Sequence, residues 1–120
     1  MDAELIRSGK WTLISPRTDD VLVREPSDAI ALLELCGEYD VQRIILVEKN
    51  FSPDFFELRS GLAGEILQKF SQYGLYLGIV GDFSSVESKS LRDFIRESNR
   101  YGRILFVSSP EEALEQWDKQ

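Results

Sequence analysis

Residues 43–47 read Arg-Ile-Ile-Leu-Val, an apolar and largely β-branched run with no polar residue after Arg43. Such a run is typical of a strand covered on both faces, because a half-exposed strand alternates apolar and polar residues. Two later stretches have the same character, Leu-Tyr-Leu-Gly-Ile-Val at 75–80 and Arg-Ile-Leu-Phe-Val at 103–107. We therefore expect three central strands of a parallel sheet, with helices packed on it.

Amphipathic helical patterns lie before and between these strands. Ser27 is a good N-cap for a helix that ends with Gly37 at its C′ position, and the apolar residues of that helix have i, i+3, i+4 and i+7 spacing: Ala29, Leu32, Leu33 and Cys36. After a helical turn opened by Ser52-Pro53, a second helix is predicted from Gly61 to Gly74 by the same kind of spacing at Leu62, Ile66, Leu67, Phe70 and Tyr73.

Two further helices are predicted in the last third of the chain. One carries Leu91, Phe94 and Ile95. The other opens with Ser109-Pro110-Glu111-Glu112, where a capping box coincides with proline at the first helical position. Alternation of strands and helices favours parallel strands joined by right-handed crossovers.

The first residues predict a hairpin that extends the sheet. Leu5-Ile6 and residues 11–14 flank the turn residues Ser8-Gly9-Lys10, and residues 21–23 form a further short extended piece. We therefore predict one α/β domain over residues 1–120, with a mixed sheet of about five strands and three to four packed helices.

Composition excludes several classes of function. The net charge of −7 disfavours a nucleic-acid partner, because a phosphate backbone would be repelled. The chain has no histidine and one cysteine, Cys36, so we expect no histidine-based catalytic site, no histidine or thiolate metal site and no cofactor. We expect a non-enzymatic protein.

The same features predict a cytoplasmic location. Asp2 and Glu4 stand where a signal peptide would have basic residues, and no apolar run is long enough to cross a bilayer, so no membrane partner is expected. A lone cysteine suits a reducing compartment. Homodimerisation is compatible with so small a domain, although no particular residue supports it.

The segment Phe56-Glu57-Leu58-Arg59-Ser60-Gly61-Leu62 resembles the signature loop of STAS domains, the fold of bacterial anti-sigma-factor antagonists. The resemblance covers about residues 43–117 and implies a STAS-like sheet. It also implies that Ser60, next to Arg59 and Gly61, caps the helix and accepts a phosphate from a partner kinase. STAS domains usually have an acidic residue two positions before the acceptor, and this chain has Leu58 there. The departure weakens the expectation that Ser60 is phosphorylated, but it does not affect the expected fold.

Three stretches, residues 60–70, 79–84 and 88–95, resemble more closely a family of small bacterial proteins described as a domain of unknown function. That resemblance implies no activity. For Ser60 itself, a phosphate at a helix N-terminus would meet free N–H groups and the positive end of the helix dipole. The plainer interpretation is an ordinary cap serine, and it is favoured because serine is common at that position.

Polar residues follow two of the predicted strands. In open α/β sheets ligands bind beyond the carboxyl ends of the strands, so a small ligand could contact Asp82, Ser84, Ser85, Lys49 and Asn50. The plainer interpretation is a turn in which Asp82 and Ser84 bond loop N–H groups and Ser84 forms a capping box with Glu87. It is favoured, because no glycine-rich phosphate motif is present.

A basic stripe on the third helix, with i, i+3, i+7 and i+11 spacing, consists of Lys89, Arg92, Arg96 and Arg100. It could attract an acidic partner, or it could be a solvated face paired with Asp93 and Glu97, which is favoured. Two functional hypotheses result. The leading one is a regulatory module that binds an unidentified protein partner around Ser60 and this stripe, and the alternative is a nucleotide- or metabolite-binding protein that uses the strand-end loops.

Overall fold

A computed structural model describes residues 3–120, and its centre is one five-stranded sheet. The strands are β1 (Ala3–Ser8), β2 (Trp11–Pro16), β3 (Arg43–Val47), β4 (Tyr76–Val80) and β5 (Ile104–Val107), which lie side by side in chain order. β1 and β2 are antiparallel, and β2 to β5 are parallel. The predicted mixed sheet of five strands is confirmed.

The helices are α1 (Asp28–Tyr39), α2 (Pro53–Phe56), α3 (Leu62–Gln72), α4 (Lys89–Tyr101) and α5 (Pro110–Asp118). Four of them have more than two turns, as the spacing predicts, and α2 is the single turn opened by Ser52-Pro53. The predicted end of α1 at Gly37 is wrong. The helix continues to Tyr39 and ends where Asp40 adopts φ of 55°, a left-handed conformation that aspartate tolerates better than most residues.

The main core lies between one face of the sheet and helices α1, α3 and α4. Alternate strand residues point into it, including Ile44 and Leu46 of β3 and Leu77 and Ile79 of β4. Because the strands follow one another in spatial order, right-handed crossovers carry the connecting helices to the same face. The periodicity of α3 is confirmed at Leu62, Ile66 and Phe70, which are buried, whereas Tyr73 is exposed.

The opposite face of the sheet is covered by α5, which follows the last strand and is not a crossover. Its Ala113 and Trp117 pack with Leu13, Ile45, Leu105 and Val107 from the strands. Gly78 of β4 lies beneath this contact, where a Cβ would be 3.4 Å from both Ala113 Cβ and Trp117 Cη2, about van der Waals distance. The second face thus has a smaller core of its own.

Parallel pairing brings the carboxyl ends of the central strands to one edge. Val47 of β3 is in register with Val80 of β4, which is in register with Val107 of β5. The loops that leave these three residues therefore share one end of the molecule. Within residues 3–120, no helix has both the length and the apolar character needed to span a membrane.

Candidate ligand-binding site

A cavity of about 890 Å³ opens at this edge, between the loops that follow β3 and β4. Val47 and Val80 form its base where their strands end. The segment containing α2 forms one wall, and the loop before α4 together with Leu91 forms the other. The site therefore lies where open α/β sheets bind their ligands.

The wall of this pocket is mainly aromatic and aliphatic. Phe56 and Phe83 face each other with ring centroids 6.2 Å apart, and Phe51, Val86 and Leu91 add apolar surface. The rings continue into the core, because Phe56 contacts Phe55 at 5.2 Å and Phe83 contacts Phe106 at 5.3 Å. Packed aromatic rings of this kind hold the wall in place before any ligand arrives.

Charged side chains also line the pocket, and most are acidic: Asp19, Glu48, Glu57 and Asp82. Lys49 is the one basic side chain among the lining residues. Glu48 packs over Gly81, where a Cβ would lie 2.5 Å from Glu48 Oε1 and 3.0 Å from Phe83 Cζ. Glycine at position 81 therefore lets both side chains approach the backbone.

Asp82 is a fully ionised carboxylate held by its own loop. Its Oδ1 accepts hydrogen bonds from the Ser84 hydroxyl at 2.6 Å and from the Ser84 amide at 3.1 Å. These two bonds lower the pKa of Asp82 below its usual value, because they stabilise the charged form. The predicted turn geometry is therefore present, and it leaves Asp82 negative at neutral pH.

The other predicted strand-end residues lie in different places. Lys49 lines the pocket, whereas Ser84 lines a smaller neighbouring cavity of about 400 Å³ with Ser108 and Glu112, and Ser85 lines neither cavity. The predicted capping box of Ser84 with Glu87 does not form, because α4 begins later. Its N-cap is Ser88, whose hydroxyl accepts a hydrogen bond from the Leu91 amide.

Asn50 is fully buried and binds the protein itself. Its Oδ1 accepts from the Val47 amide at 2.8 Å, and its Nδ2 donates to the carbonyls of Thr18 and Asp20, both at 2.8 Å. The prediction that Asn50 contacts a ligand is thus replaced by a positioning role. Asn50 ties the Asp19 segment to the loop after β3 and so fixes two sides of the pocket.

Ser60 is exposed and lies in a short turn, Leu58–Ser60, just before α3. Its hydroxyl donates to the Asp54 carbonyl at 2.6 Å and accepts from the Leu62 amide at 3.2 Å. The N-cap residue is Gly61, with φ of 77°, so the prediction that Ser60 is the N-cap is wrong; Ser60 bonds the first helical amide from the position before the cap. Arg59 is exposed beside it.

Two carboxylates of the same helix pair with three of the four cations in the basic stripe. Lys89 and Arg96 both pair with Asp93, at 2.8 and 2.9 Å, and Arg100 pairs with Glu97 at 2.6 Å. The hydrogen bond from Lys89 is the main reason that the pKa of Asp93 is lowered, so this carboxylate stays charged. Arg92 instead donates to the carbonyls of Val86 and Glu87 and thereby fixes one pocket loop.

Spacing along the chain gave no signal for several lining residues. Asp19, Glu57 and Val86 come from three loops that only the folded sheet brings together. The sequence places Gly81 in a loop after a strand, but its close contact with Glu48 depends on the position of the segment that follows β3. Sequence proximity to a strand end is the one signal that could have pointed to Glu48.

Comparison with protein families matches residues 9–117 of the chain to a family described as a domain of unknown function. The match covers the sheet from the hairpin turn onward and includes every residue of the pocket. Neither curated proteins nor solved structures give a match.

Proposed function

This chain belongs to the family DUF4180, and we propose that it is a non-enzymatic binding domain that takes a small metabolite into the pocket beyond β3 and β4. The observation that carries the proposal is the aromatic-lined cavity of about 890 Å³ at the carboxyl ends of parallel strands. Ligand sites in proteins are clefts of roughly 300–1,000 Å³ with mainly apolar walls and a few polar groups.

The charge around the pocket supports a ligand with a basic group. Four carboxylates and one lysine line it, and the chain as a whole is negative. A nucleotide would bring its phosphates toward Glu48, Glu57 and Asp82, and like charges at close range disfavour binding. A primary amine with an aromatic or branched aliphatic body would match both the apolar wall and the acidic residues. We therefore favour such an amine over a nucleotide.

A thermal-shift screen with calorimetric follow-up tests this function. The compound sets are arylalkyl and alkyl amines, their neutral hydroxyl analogues, and nucleotides. We expect the amines to raise the melting temperature of the wild type, and Val86→Asn to weaken their affinity at least about tenfold, because an uncharged polar group would face the apolar body of the ligand. Val21→Asn is the matched control, since Val21 is also half-buried but does not line the pocket.

The acidic residues are tested separately by Asp82→Asn. We expect about a two- to fivefold loss of affinity for an amine, as for an exposed ion pair, and no change for its neutral analogue. The proposal is contradicted if no compound set shifts the melting temperature, or if Val86→Asn and Val21→Asn bind equally well.

A regulatory protein-interaction module is the second candidate, and the position of Ser60 favours it. The exposed hydroxyl bonds to the carbonyl of Asp54 in α2, the same turn that supplies Phe56 to the pocket wall. A phosphate on Ser60 would remove that bond and add charge next to Arg59. The resemblance to STAS domains supports the same idea, with a protein of the bacterial cytoplasm as the partner.

Mass spectrometry of the protein purified from its native host tests this second candidate. This candidate is supported if Ser60 carries a phosphate and if the wild type captures a partner that Ser60→Asp does not. Ser60→Ala serves as the control. Unmodified Ser60 in fully covered peptides, together with identical partners for all three proteins, would count against it.

A further inference from the structure

A second set of polar groups lies on the α5 face of the sheet, near the amino ends of the strands and away from the pocket. Arg43 begins β3, and its guanidinium carbon lies 3.4 Å from the ring centroid of Trp11 and 4.1 Å from that of Tyr76. Arg103, just before β5, lies over the same Tyr76 ring at 4.3 Å. Two cations therefore share one aromatic ring, and we call this group the arginine pair.

The arginine pair has no carboxylate partner in the part of the chain that the structure describes. The ion pairs within residues 3–120 use Arg17, Lys89, Arg96 and Arg100 as cations. Arg43 is only 6% exposed, and its Nε is buried without a hydrogen-bond partner. Arg103 donates one bond, from Nη1 to the Leu75 carbonyl at 3.1 Å, while its Nε is also buried without a partner.

Aromatic contacts do not satisfy such a group. A ring covers the flat face of a guanidinium, but the N–H donors lie in its plane and still need acceptors. A buried cation without a counter-ion is unfavourable, because desolvation disfavours the charged form. Burial and the nearby Arg103 accordingly lower the pKa of Arg43. The indole Nε1 of Trp11 is a further buried donor without a partner.

We propose that the arginine pair, with Trp11 beside it, binds a small oxyanion, either a carboxylate or a phosphate group. Such an anion supplies the missing negative charge and accepts the in-plane N–H bonds, which is how arginine recognises both groups. Arg103 is half-buried whereas Arg43 is almost fully buried, so the anion would approach from the side of Arg103. This site is independent of the pocket beyond β3 and β4.

Tryptophan fluorescence gives a direct test, because the chain has two tryptophans and both are close to Arg43. Trp11 lies at 3.4 Å and Trp117 at 5.3 Å from its guanidinium carbon. The full chain is titrated with inorganic phosphate, with acetate and with chloride at constant ionic strength. We expect a saturable change with phosphate or acetate, with a dissociation constant of about 1–10 mM, and none with chloride. The first two titrations show which oxyanion is bound.

Arg103→Gln should weaken the affinity about tenfold or more, since a charged hydrogen-bond donor is lost. Arg103→Lys keeps the charge and should recover only part of the affinity, because lysine lacks the planar fork. Arg96→Gln, an exposed cation on α4, is the control and should bind as wild type does. Circular dichroism checks that each variant is folded.

Arginine Nε–H resonances provide a second measurement that depends on hydrogen bonding itself. We expect the Nε–H signals of Arg43 and Arg103 to shift on titration, and those of Arg96 and Arg100 to stay in place. Any one of three results would overturn the proposal. These are a fluorescence change that never saturates, equal affinities of wild type and Arg103→Gln, and unshifted Nε–H signals of both Arg43 and Arg103.

Discussion

Burial and hydrogen bonding set the pKa values of individual residues in this protein. Cys36 lies on the core face of α1 with 1% of its surface exposed, and burial raises the pKa of its thiol from about 9 to about 11. Asp82 shows the opposite behaviour on the surface, where hydrogen bonds from Ser84 lower its pKa. Cys36 is therefore a small apolar residue at physiological pH, as its place in the periodic pattern indicates.

The raised pKa of Cys36 predicts a dependence of stability on alkaline pH. The folded state holds the thiol proton more tightly than the unfolded state, so this contribution is complete below about pH 9 and is lost as the pH rises toward about 11. Over that interval the free energy of unfolding of wild type should fall by about 2–3 kcal/mol more than that of Cys36→Ala.

Urea denaturation at a series of pH values measures this difference. Comparison with Cys36→Ala cancels the titration of tyrosines and lysines, which both proteins share. Parallel stability curves for the two proteins between pH 9 and 11 would contradict the assigned burial of the thiol.

At the level of elements, the serines that precede helices differ in whether their hydroxyls cap the helix. Ser88 and Ser109 have extended backbones, and their hydroxyls accept hydrogen bonds from the Leu91 and Glu112 amides. Ser27 has a helical backbone, with φ of −65° and ψ of −20°, and its side chain makes no cap bond. Ser27 is therefore the N-cap residue of α1 as predicted, but its hydroxyl makes no cap hydrogen bond.

A capping box is likewise only half formed at α5. Ser109 accepts from the Glu112 amide as predicted, but the Glu112 carboxylate accepts from the amide and hydroxyl of Ser108. Those bonds lower the pKa of Glu112 and join the loop after β5 to the helix. Residue type predicts that a helix starts here, whereas the local backbone selects the partner of each side chain.

Two serines, Ser84 and Ser88, are alternative N-caps of α4, and substitutions distinguish between them. Ser88→Ala should reduce the free energy of unfolding by about 1 kcal/mol, because the Leu91 amide loses its cap. Ser84→Ala should have a smaller effect, since Ser84 bonds only Asp82.

Ser90→Ala, at an exposed position inside the first turn of α4, is the matched control and should be nearly neutral. Stabilities come from urea denaturation of the three variants and wild type. A larger loss with Ser84→Ala than with Ser88→Ala would support the start of α4 predicted from sequence alone.

At the scale of the whole molecule, the sheet has two cores of unequal size. The larger one is formed by three helices that the crossovers place on one face, and the smaller one depends on α5 alone. Trp117 is fully buried there, and its indole N–H donates to the Gly102 carbonyl at 3.1 Å. The centroid of the same ring lies 5.3 Å from the guanidinium carbon of Arg43, so α5 links the second core to the proposed anion site.

Trp117→Ala should therefore lower the free energy of unfolding by about 3–5 kcal/mol, the usual effect of removing a large aromatic side chain from a core. Leu114→Ala on the same helix is the control and should have a smaller effect, because Leu114 is only half-buried. Urea denaturation measures both. A loss below about 1 kcal/mol for Trp117→Ala would mean that α5 does not hold the second face.

The sequence by itself determined the strands, most helices and the edge at which a ligand would bind. The signals are local: apolar runs at residues 43–47 and 103–107, helical spacing after Gly61 and the turn at Gly9. Local backbone preferences act before distant contacts form. The order of these elements predicts the mixed sheet. Its parallel strands in turn predict a ligand-binding site near Lys49 and Asp82.

Only the tertiary structure decided which side chains meet. Asn50 was expected to contact a ligand, but it is buried and binds the carbonyls of Thr18 and Asp20. Sequence could not reveal this, because both partners lie about thirty positions away in the chain. Trp11 and Arg43 are likewise distant in the chain and meet only in the folded protein, as do Glu57 and Val86 around the pocket. Contacts between remote residues depend on strand register and on the packing of both faces, which no short stretch of sequence specifies.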